Sequence, residues 1–241
     1  MRRAGIAALV AAAAFTPGAA AATGLSVSPL RLTLAGRTTA RVTVGNSSAR
    51  PLIVDVSLAG FALTMHGRPR LRAADDAAGW LRIRPRRLRI APHASATVRV
   101  TAVPPPRAAA GDHPALVLLE TRQPGGQRLR VLLRVGVVVL LRVPGPIVRR
   151  LEPRALTVRR RGETHVLELR LANRGNVTET LGRGGLRLEL LRRGEAAVTL
   201  HARRRLELLP HSAGIAEFVY RGRLRGIVRA AIMGRSFRLR L

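Results

Sequence analysis

The side chains best suited to chemistry, six histidines and thirteen carboxylates, show no arrangement typical of an enzyme. The histidines lack the spacing of metal ligands, and the chain has no cysteine to act as nucleophile or ligand. Asp75 and Asp76 are adjacent, but "LRAADDAAG" is typical of a loop and offers them no catalytic partner. Nucleophile motifs and phosphate-binding glycine loops are missing. We therefore expect a protein that is not an enzyme, with no metal and no cofactor.

Arginine is the only abundant charged residue. All 43 basic residues are arginine, against 13 acids, which gives a net charge of +30. The absence of lysine fits the codon usage of a GC-rich genome, but the shortage of acids still favours an anionic partner. A candidate polyanion-binding cluster lies in "RIRPRRLR" and suits an anionic cell-wall polymer, although a solvated strand face would carry the same residues. Its members are Arg84, Arg86, Arg87 and Arg89.

Nucleic acid is a poor match for these clusters. The segments 82–89, 148–161 and 202–208 could neutralise phosphates, but none of them contains an aromatic residue on which a base could stack. We therefore expect no specific nucleic-acid binding.

The first 22 residues have the form of a secretory signal peptide. Two arginines precede an apolar run from Ala4 to Phe15, and small residues ending at Ala22 suit cleavage. The apolar run is too short to span a bilayer. The sequence therefore predicts a secreted or periplasmic protein of the cell envelope, whose cores are packed without disulfides.

The elements that must position any site are strands. "RLRVLLRVGVVVLLRVPG", residues 128–145, alternates with period two and is too short and too charged for a membrane helix, so it predicts one long strand. One of its faces, which includes Leu129, Val131 and Leu133, is wholly apolar. This face could pack in the core of its own domain, add to an incomplete partner, or form a homodimer edge.

Shorter alternating runs fill the rest of the chain and predict an all-β protein of two tandem immunoglobulin-like β-sandwich domains. We place the domains at residues 24–145 and 146–241, separated by the Pro144-Gly145-Pro146 break. Each half has an asparagine turn after its second strand, at Asn46 and Asn173. The predicted strands are 26–34, 40–46, 52–58, 80–84, 95–103, 114–121 and 128–143 in the first half, and lie within 163–176, 186–193, 204–214, 216–222 and 236–241 in the second.

The first half resembles the N-terminal immunoglobulin-like domain of the PapD-like periplasmic pilus chaperones. The similarity lies in the order of four segments rather than in any one motif. These segments are "VSPLRLTL" (27–34), "RVTVGNSSARPLIVDV" (41–56), "LRIRPRRLRIAPHASATVRV" (81–100) and "PPPRAAAGDHPALVLLETRQP" (104–124). Residues 128–145 then fall where these chaperones have their long last strand.

This resemblance implies a chaperone that binds extended segments of exported pilus or surface subunits by β-strand addition. Leu129, Val131 and Leu133 would supply the apolar residues that enter the subunit. Arg31 matches an arginine that holds the subunit's terminal carboxylate together with a lysine, whose position falls on Val138 here, with Arg134 nearby.

The resemblance also assigns Arg142 to the domain junction. The family's Asp-Arg-Glu-Ser sequence is replaced here by Asp112-His113-Pro114-Ala115.

A weaker resemblance is to the WxL-interacting surface proteins, which share the secreted tandem immunoglobulin-like plan. It implies a binder of cell-wall polymer or of a surface partner. Those proteins normally end in a membrane helix and a basic tail, whereas "RSFRLRL" ends this sequence, and we expect no transmembrane segment in the mature chain.

Overall fold

The computed structural model describes residues 24–73, 76–122, 132–182, 184–191, 197–222, 224 and 227–239. The predicted signal peptide and the residues Leu129 and Val131 of the predicted long strand lie outside this part of the chain. The described residues form strands and one helical turn, so the all-β prediction is confirmed.

Two sheets packed face to face form the first half of the molecule. The elements are β1 (Leu25–Ser28), β2 (Arg31–Ala35), β3 (Thr39–Asn46), β4 (Leu52–Leu63), β5 (Pro69–Arg72), α1 (Asp76–Gly79), β6 (Leu81–Arg84), β7 (Arg87–Ile90), β8 (Ser95–Ala102), β9 (Gly111–Arg122) and β10 (Arg134–Val143). One sheet has the order β1-β3-β8-β6, and the other has the order β2-β10-β9-β4-β5, with β7 also paired to β4. We call them the four-stranded sheet and the large sheet.

Alternating side chains from the two sheets build the first core. Val42 and Val44 on β3, Val98 and Val100 on β8, and Val117 on β9 are completely buried in it. The intervening residues of β3 and β8 are exposed or partly exposed, as the period-two pattern requires for a sheet with one solvated face.

The second half is also a sandwich. Its strands are β11 (Leu151–Arg161), β12 (Thr164–Asn173), β13 (Glu179–Leu181), β14 (Leu186–Leu191), β15 (Val198–His201), β16 (Leu206–Leu208), β17 (Ala213–Arg221), β18 (Ile227–Ile232) and β19 (Arg235–Leu239). They pair as β11-β12-β17, β13-β16 and β15-β14-β18-β19. A separate core that contains Leu167, Leu188 and Phe218 lies between these sheets.

The two asparagine turns are built alike. The side-chain amide of Asn46 donates to the carbonyls of Arg50, Ile90 and Ala91 at 2.8, 3.2 and 3.1 Å. The amide of Asn173 donates to Val177, Leu208 and Leu209 at 2.7, 3.2 and 3.1 Å. The partners lie at matching places in the two sandwiches. Each half of the chain is therefore stabilised at one end by its own buried asparagine amide, with the same pattern of hydrogen bonds.

Each asparagine turn is accompanied by a second turn that contains a histidine. His93 and His211 follow Pro92 and Pro210 and have positive φ angles of 55° and 54°. Such an angle is uncommon outside glycine, so the matching pair marks equivalent turns. The histidines are therefore turn residues.

Several strands differ from the sequence expectation. The predicted strand 26–34 is two strands, β1 and β2, which lie in different sheets because the chain turns at Pro29 and Leu30. Strands β5, β7, β11, β13, β15 and β18 were not predicted, since they are short or have arginines on the alternate positions. The helical turn α1 was also missed.

The junction between the sandwiches is closely hydrogen-bonded. The Asn176 side chain donates to the carbonyls of Ala110 and Pro146, both at 2.9 Å, and accepts from Val148 N at 2.8 Å. Gly111 has a φ of 122°, and a Cβ on this residue would lie 2.2 Å from the Asn176 carbonyl oxygen. Only glycine fits this close approach. The hydrogen bonds of Asn176 hold the linker against both halves.

Candidate functional site

Among the described residues, strand β10 is paired along its full length on one side only. On that side it runs antiparallel to β9, from Arg134 opposite Glu120 to Val143 opposite Gly111. On the other side it runs parallel to β2, but the pairing covers only Val138 to Arg142. In the part of the chain that the structure describes, no strand covers this second side from Arg134 to Val137. The large sheet therefore has a short open edge, which we call the β10 edge.

Backbone hydrogen bonds show which groups face the β10 edge. Leu133 accepts from Thr121 N at 2.9 Å and donates to Thr121 Oγ1 at 3.1 Å, on the β9 side. Val138 N–H donates to the Leu30 carbonyl at 3.0 Å, on the opposite side. Because successive residues of a strand direct their backbone groups to alternate sides, Leu132, Arg134 and Gly136 direct theirs to the open side. No strand of the described part of the chain pairs with these three residues, and we call them the free rim.

The apolar face of the strand divides into two parts. Val137, Val139 and Leu141 are completely buried in the first core, as expected for a strand that packs in its own sandwich. Leu133 and Val135, which precede them on the same face, are only half-buried, and Leu132 on the other face is 59% exposed. The unpaired edge and the incompletely buried side chains thus occur in the same segment.

Arg31 lies beside the point where the β10 edge closes. It is the Cα partner of Val138, and both side chains are on the outer face of the large sheet, as is that of Arg134. The Arg31 guanidinium donates two hydrogen bonds to the Glu207 carboxylate of the second sandwich, with Nη1 3.1 Å from Oε2. These hydrogen bonds to the anion raise the pKa of Arg31 above its ordinary value.

The other two arginines that the sequence assigns to partner binding are paired within the chain. Arg134 forms an ion pair with Glu120 directly across the strands. Arg142 binds Asp112 through Nε at 2.7 Å and Nη2 at 3.0 Å. Arg142 lies four residues beyond Val138 and is not part of the open edge.

Asp112 joins the two halves of the molecule. It accepts from Arg142 and also from the Thr178 backbone N–H of the second sandwich at 2.7 Å, and its side chain is 1% exposed. Burial opposes ionisation of this carboxyl, but the hydrogen bonds from Arg142 and Thr178 outweigh it and hold its pKa below the ordinary value. Asp112 is therefore a charged brace between the domains.

An apolar patch on the outer face of the large sheet lies next to the β10 edge. Phe61, Leu116, Leu118 and Leu140 are buried there together with Leu209, which comes from the β16–β17 turn of the second sandwich. The main chain also connects the halves here, since Ile215 N–H donates to the Met65 carbonyl at 2.7 Å. The second sandwich thus covers part of this face of the large sheet.

The predicted polyanion cluster is divided between the two sheets. Arg84 is on β6 of the four-stranded sheet, whereas Arg87 and Arg89 are on β7 of the large sheet, and Arg86 is in the turn between them. Arg87 is also neutralised, with its Nε 2.6 Å from Asp55 Oδ1. The four residues do not form one patch, because the chain passes from one sheet to the other at Pro85.

Glu207 and Thr178 were not identified from the sequence. Glu207 lies 176 residues from Arg31, and Thr178, which donates its backbone N–H to Asp112, lies 66 residues from it. No local pattern signals either contact. Only the placement of the second sandwich against the first brings these residues together.

The described residues contain neither a cluster of metal ligands nor a membrane-spanning helix. No group of three or more possible metal ligands is present among them. They also contain no helix of the length and apolarity needed to cross a bilayer.

Comparison with solved structures identifies the fold. The chain superposes on the class 5 fimbriae chaperone CfaA with a TM-score of 0.56 and 12% identity, covering 90% of this chain and all of that one. For the YadV chaperone the TM-score is 0.53 at 12% identity, covering 89% and 99%. A chain of the CsuC–CsuE chaperone–tip adhesion subunit complex of Acinetobacter baumannii gives 0.51 at 12% identity, covering 90% and 98%.

By sequence, no family model and no curated protein matches the chain. The structural matches nevertheless extend over both sandwiches. The protein therefore has the two-domain immunoglobulin-like fold of the pilus chaperones, and the fold implied by the resemblance is confirmed.

Proposed function

We propose that this protein is a non-enzymatic chaperone of the periplasm or cell envelope, which binds an extended segment of an exported pilus or surface subunit at the β10 edge. The observation that carries the proposal is the free rim formed by Leu132, Arg134 and Gly136. An unpaired strand edge is an aggregation hazard, and a protein that keeps one open has a use for it. Addition of a strand would satisfy the rim by main-chain hydrogen bonds.

Side chains of the same segment give the bound strand an apolar complement. Leu133 and Val135 face the interior side of the sheet but are only half-buried. In the sequence, the alternation of apolar residues continues back to Val131 and Leu129, which lie outside the described residues. In the proposed complex these four residues complete the core of a subunit that lacks a strand of its own.

Arg31 is the residue that would recognise the end of the client chain. It lies beside Val138 at the closed end of the β10 edge, so the terminus of an added strand would come close to its guanidinium. In the free protein the guanidinium holds Glu207. A client carboxylate would therefore replace the carboxylate of Glu207, an exchange of one charge-assisted hydrogen-bonded pair for another.

The structural relatives supply the class of partner. The solved structures with this fold include a complex of a chaperone with a tip adhesion subunit and a complex of the SafB chaperone with the SafA pilin of Salmonella enterica. Those partners belong to those proteins. For this chain we propose a partner of the same class, an exported subunit with an incomplete β-sandwich.

A photo-crosslinking experiment in cells tests the proposal. A photoreactive amino acid replaces Leu132, which is exposed on the rim, and in a matched control it replaces Leu71, which is exposed on β5 at the opposite edge of the same sheet. We expect position 132 to crosslink to an exported subunit and position 71 not to do so. Gly136→Pro in the same chain should remove the crosslink, because it deletes one rim donor.

Two results would overturn the proposal. Equal crosslinking from both positions would mean that the β10 edge has no special affinity. A crosslink from position 132 to a second copy of this chain alone would make the edge a homodimer contact instead.

A further inference from the structure

Three arginines stand in one row on the open face of the four-stranded sheet. Arg41 on β3 is the direct cross-strand partner of Arg99 on β8, and Arg99 is in turn the partner of Arg84 on β6. All three side chains are exposed. Neighbouring strands are about 4.8 Å apart, so the row is about 10 Å wide. We call it the arginine row.

No carboxylate of the sheet compensates the arginine row. Strands β1, β3, β6 and β8 contain no acidic residue, and their exposed positions hold arginine, threonine and serine. Within the described ranges, none of the three arginines takes part in an ion pair, whereas Asp55, Asp112 and Glu120 on the large sheet each hold arginines. The acids and the arginine row are therefore on different sheets.

The arrangement is unfavourable for the isolated protein. Like charges directly opposite each other on adjacent strands destabilise a sheet. Between the arginine side chains lies an open cavity of about 590 Å³, lined by Arg41, Arg84, Pro85, Thr97 and Arg99. An anion in this cavity would remove the repulsion and would meet guanidinium and hydroxyl donors together.

We propose that the arginine row binds the phosphate groups of an extended anionic polymer. A tetrahedral phosphate presents oxygens outside a single plane, so it can accept from guanidinium groups on two adjacent strands, whereas a planar carboxylate matches one guanidinium fork. Several phosphates in series fit a row that is wider than one anion. The site is distinct from the β10 edge, which belongs to the other sheet.

Other phosphate sources fit this face less well. Every large apolar residue that is exposed in the described part of the chain lies outside strands β1, β3, β6 and β8, so the face offers nothing to insert into a lipid bilayer. The strands of this sheet also contain no aromatic residue on which bases could stack, which disfavours nucleic acid. A phosphate-bearing envelope polymer is the occupant that remains.

Titration of the full chain with fluorescently labelled inorganic polyphosphate at several salt concentrations tests the proposal. The test variant is Arg41→Gln/Arg84→Gln/Arg99→Gln. The matched control removes the same charge from the second sandwich, as Arg203→Gln/Arg204→Gln/Arg205→Gln, whose side chains are also exposed. We expect the test variant to raise Kd by about tenfold or more and to reduce the slope of log Kd against log salt by about two to three. The control should raise Kd less than threefold.

Stability provides an independent readout. Because the test variant removes like-charge repulsion, its melting temperature should equal or exceed that of the natural chain. If the triple variant fails to fold, Arg99→Gln alone, which removes the central charge, should still raise Kd by about threefold. Client crosslinking from position 132 should be unchanged, so this proposal and the proposed chaperone function can fail separately.

Four results would overturn the inference. Equal weakening by the test and control variants would mean that net charge alone governs binding, and an unchanged Kd in the test variant would exclude the arginine row. Polyglutamate of matched charge that binds as tightly as polyphosphate would exclude phosphate recognition. Binding to vesicles of anionic phospholipid without binding to polyphosphate would assign the face to a membrane.

Discussion

Arg31 and Glu207 form an ion pair that connects the two sandwiches next to the β10 edge. The guanidinium that we propose for a client's terminal carboxylate therefore already holds a carboxylate of its own chain. Both side chains are partly exposed, 43% and 27%, so the pair contributes little to stability, less than about 1 kcal/mol. In the proposed function, its main effect would be to make Glu207 compete with the client carboxylate for Arg31.

Substitutions of the two partners should have opposite effects on client binding. Glu207→Gln removes the internal competitor, and the complex with the client subunit should become tighter. Arg31→Gln removes the site itself, and the complex should become weaker. Isothermal titration with the subunit that the crosslinking experiment identifies measures the affinity of both variants. Weakening by both variants would mean that the pair serves only to hold the domains in place.

Proline substitutions distinguish the free rim from the paired side of β10. Gly136→Pro removes an N–H that faces the open edge, so the free energy of unfolding should change little. Val137→Pro removes an N–H that faces β9 and leaves a carbonyl unpaired, which should cost about 1–3 kcal/mol. Urea denaturation of both variants provides the comparison. If the Gly136 variant is destabilised as much as the Val137 variant, the edge is already covered in the free protein.

The Asp112 brace should make the domain junction sensitive to acid. Asp112→Asn loses the ion pair with Arg142 and should lower the free energy of unfolding at pH 7 by about 2 kcal/mol. The folded-state pKa of Asp112 is below its unfolded value of 3.8, so this stabilisation is present above pH 4 and is lost as the pH falls through the folded-state value.

Thermal denaturation from pH 7 to pH 2 of the natural chain and of Asp112→Asn checks this. The difference between the two curves should shrink only below about pH 4. A constant difference over the whole range would show that the Asp112 charge is not the source of the effect.

The two asparagine turns should tolerate substitution equally badly. Asn46→Ala and Asn173→Ala each remove a buried amide that donates to three carbonyl groups, and each should lower the free energy of unfolding by about 2–4 kcal/mol. Ser48→Ala is the milder comparison, because it removes the hydroxyl that donates to Asn46 Oδ1 but leaves the three hydrogen bonds of the Asn46 amide in place. Guanidinium denaturation measures all three. A mild effect at one asparagine alone would show that the two turns are not equivalent.

The strands that alternate clearly could be predicted from the sequence. The predicted bounds 40–46 and 95–103 agree closely with β3 and β8, because valines alternate with polar residues in both. The sequence of β11 is typical of a basic cluster rather than a strand, because the consecutive exposed residues Arg159, Arg160 and Arg161 interrupt the alternation of apolar and polar positions.

The candidate site could be predicted only in part. Its strand is evident in residues 128–145, but the parallel pairing with β2 closes half of the edge, and nothing in the alternation of β10 reveals which side has a neighbour. The arginine row could not be predicted from the sequence for a similar reason. Arg41, Arg84 and Arg99 come from three separate segments, and only the strand register brings them opposite one another.

The partial cover of β10 by β2 limits what any visiting strand can do. A strand that extends along the rim past Leu132, Arg134 and Gly136 meets Leu30 and Arg31, where β2 takes over the hydrogen bonds of β10. It can go no further, because the next places are occupied. In the complex that we propose, this limit would place the end of the client strand beside Arg31, and it would favour a chain terminus over an internal stretch of the same composition.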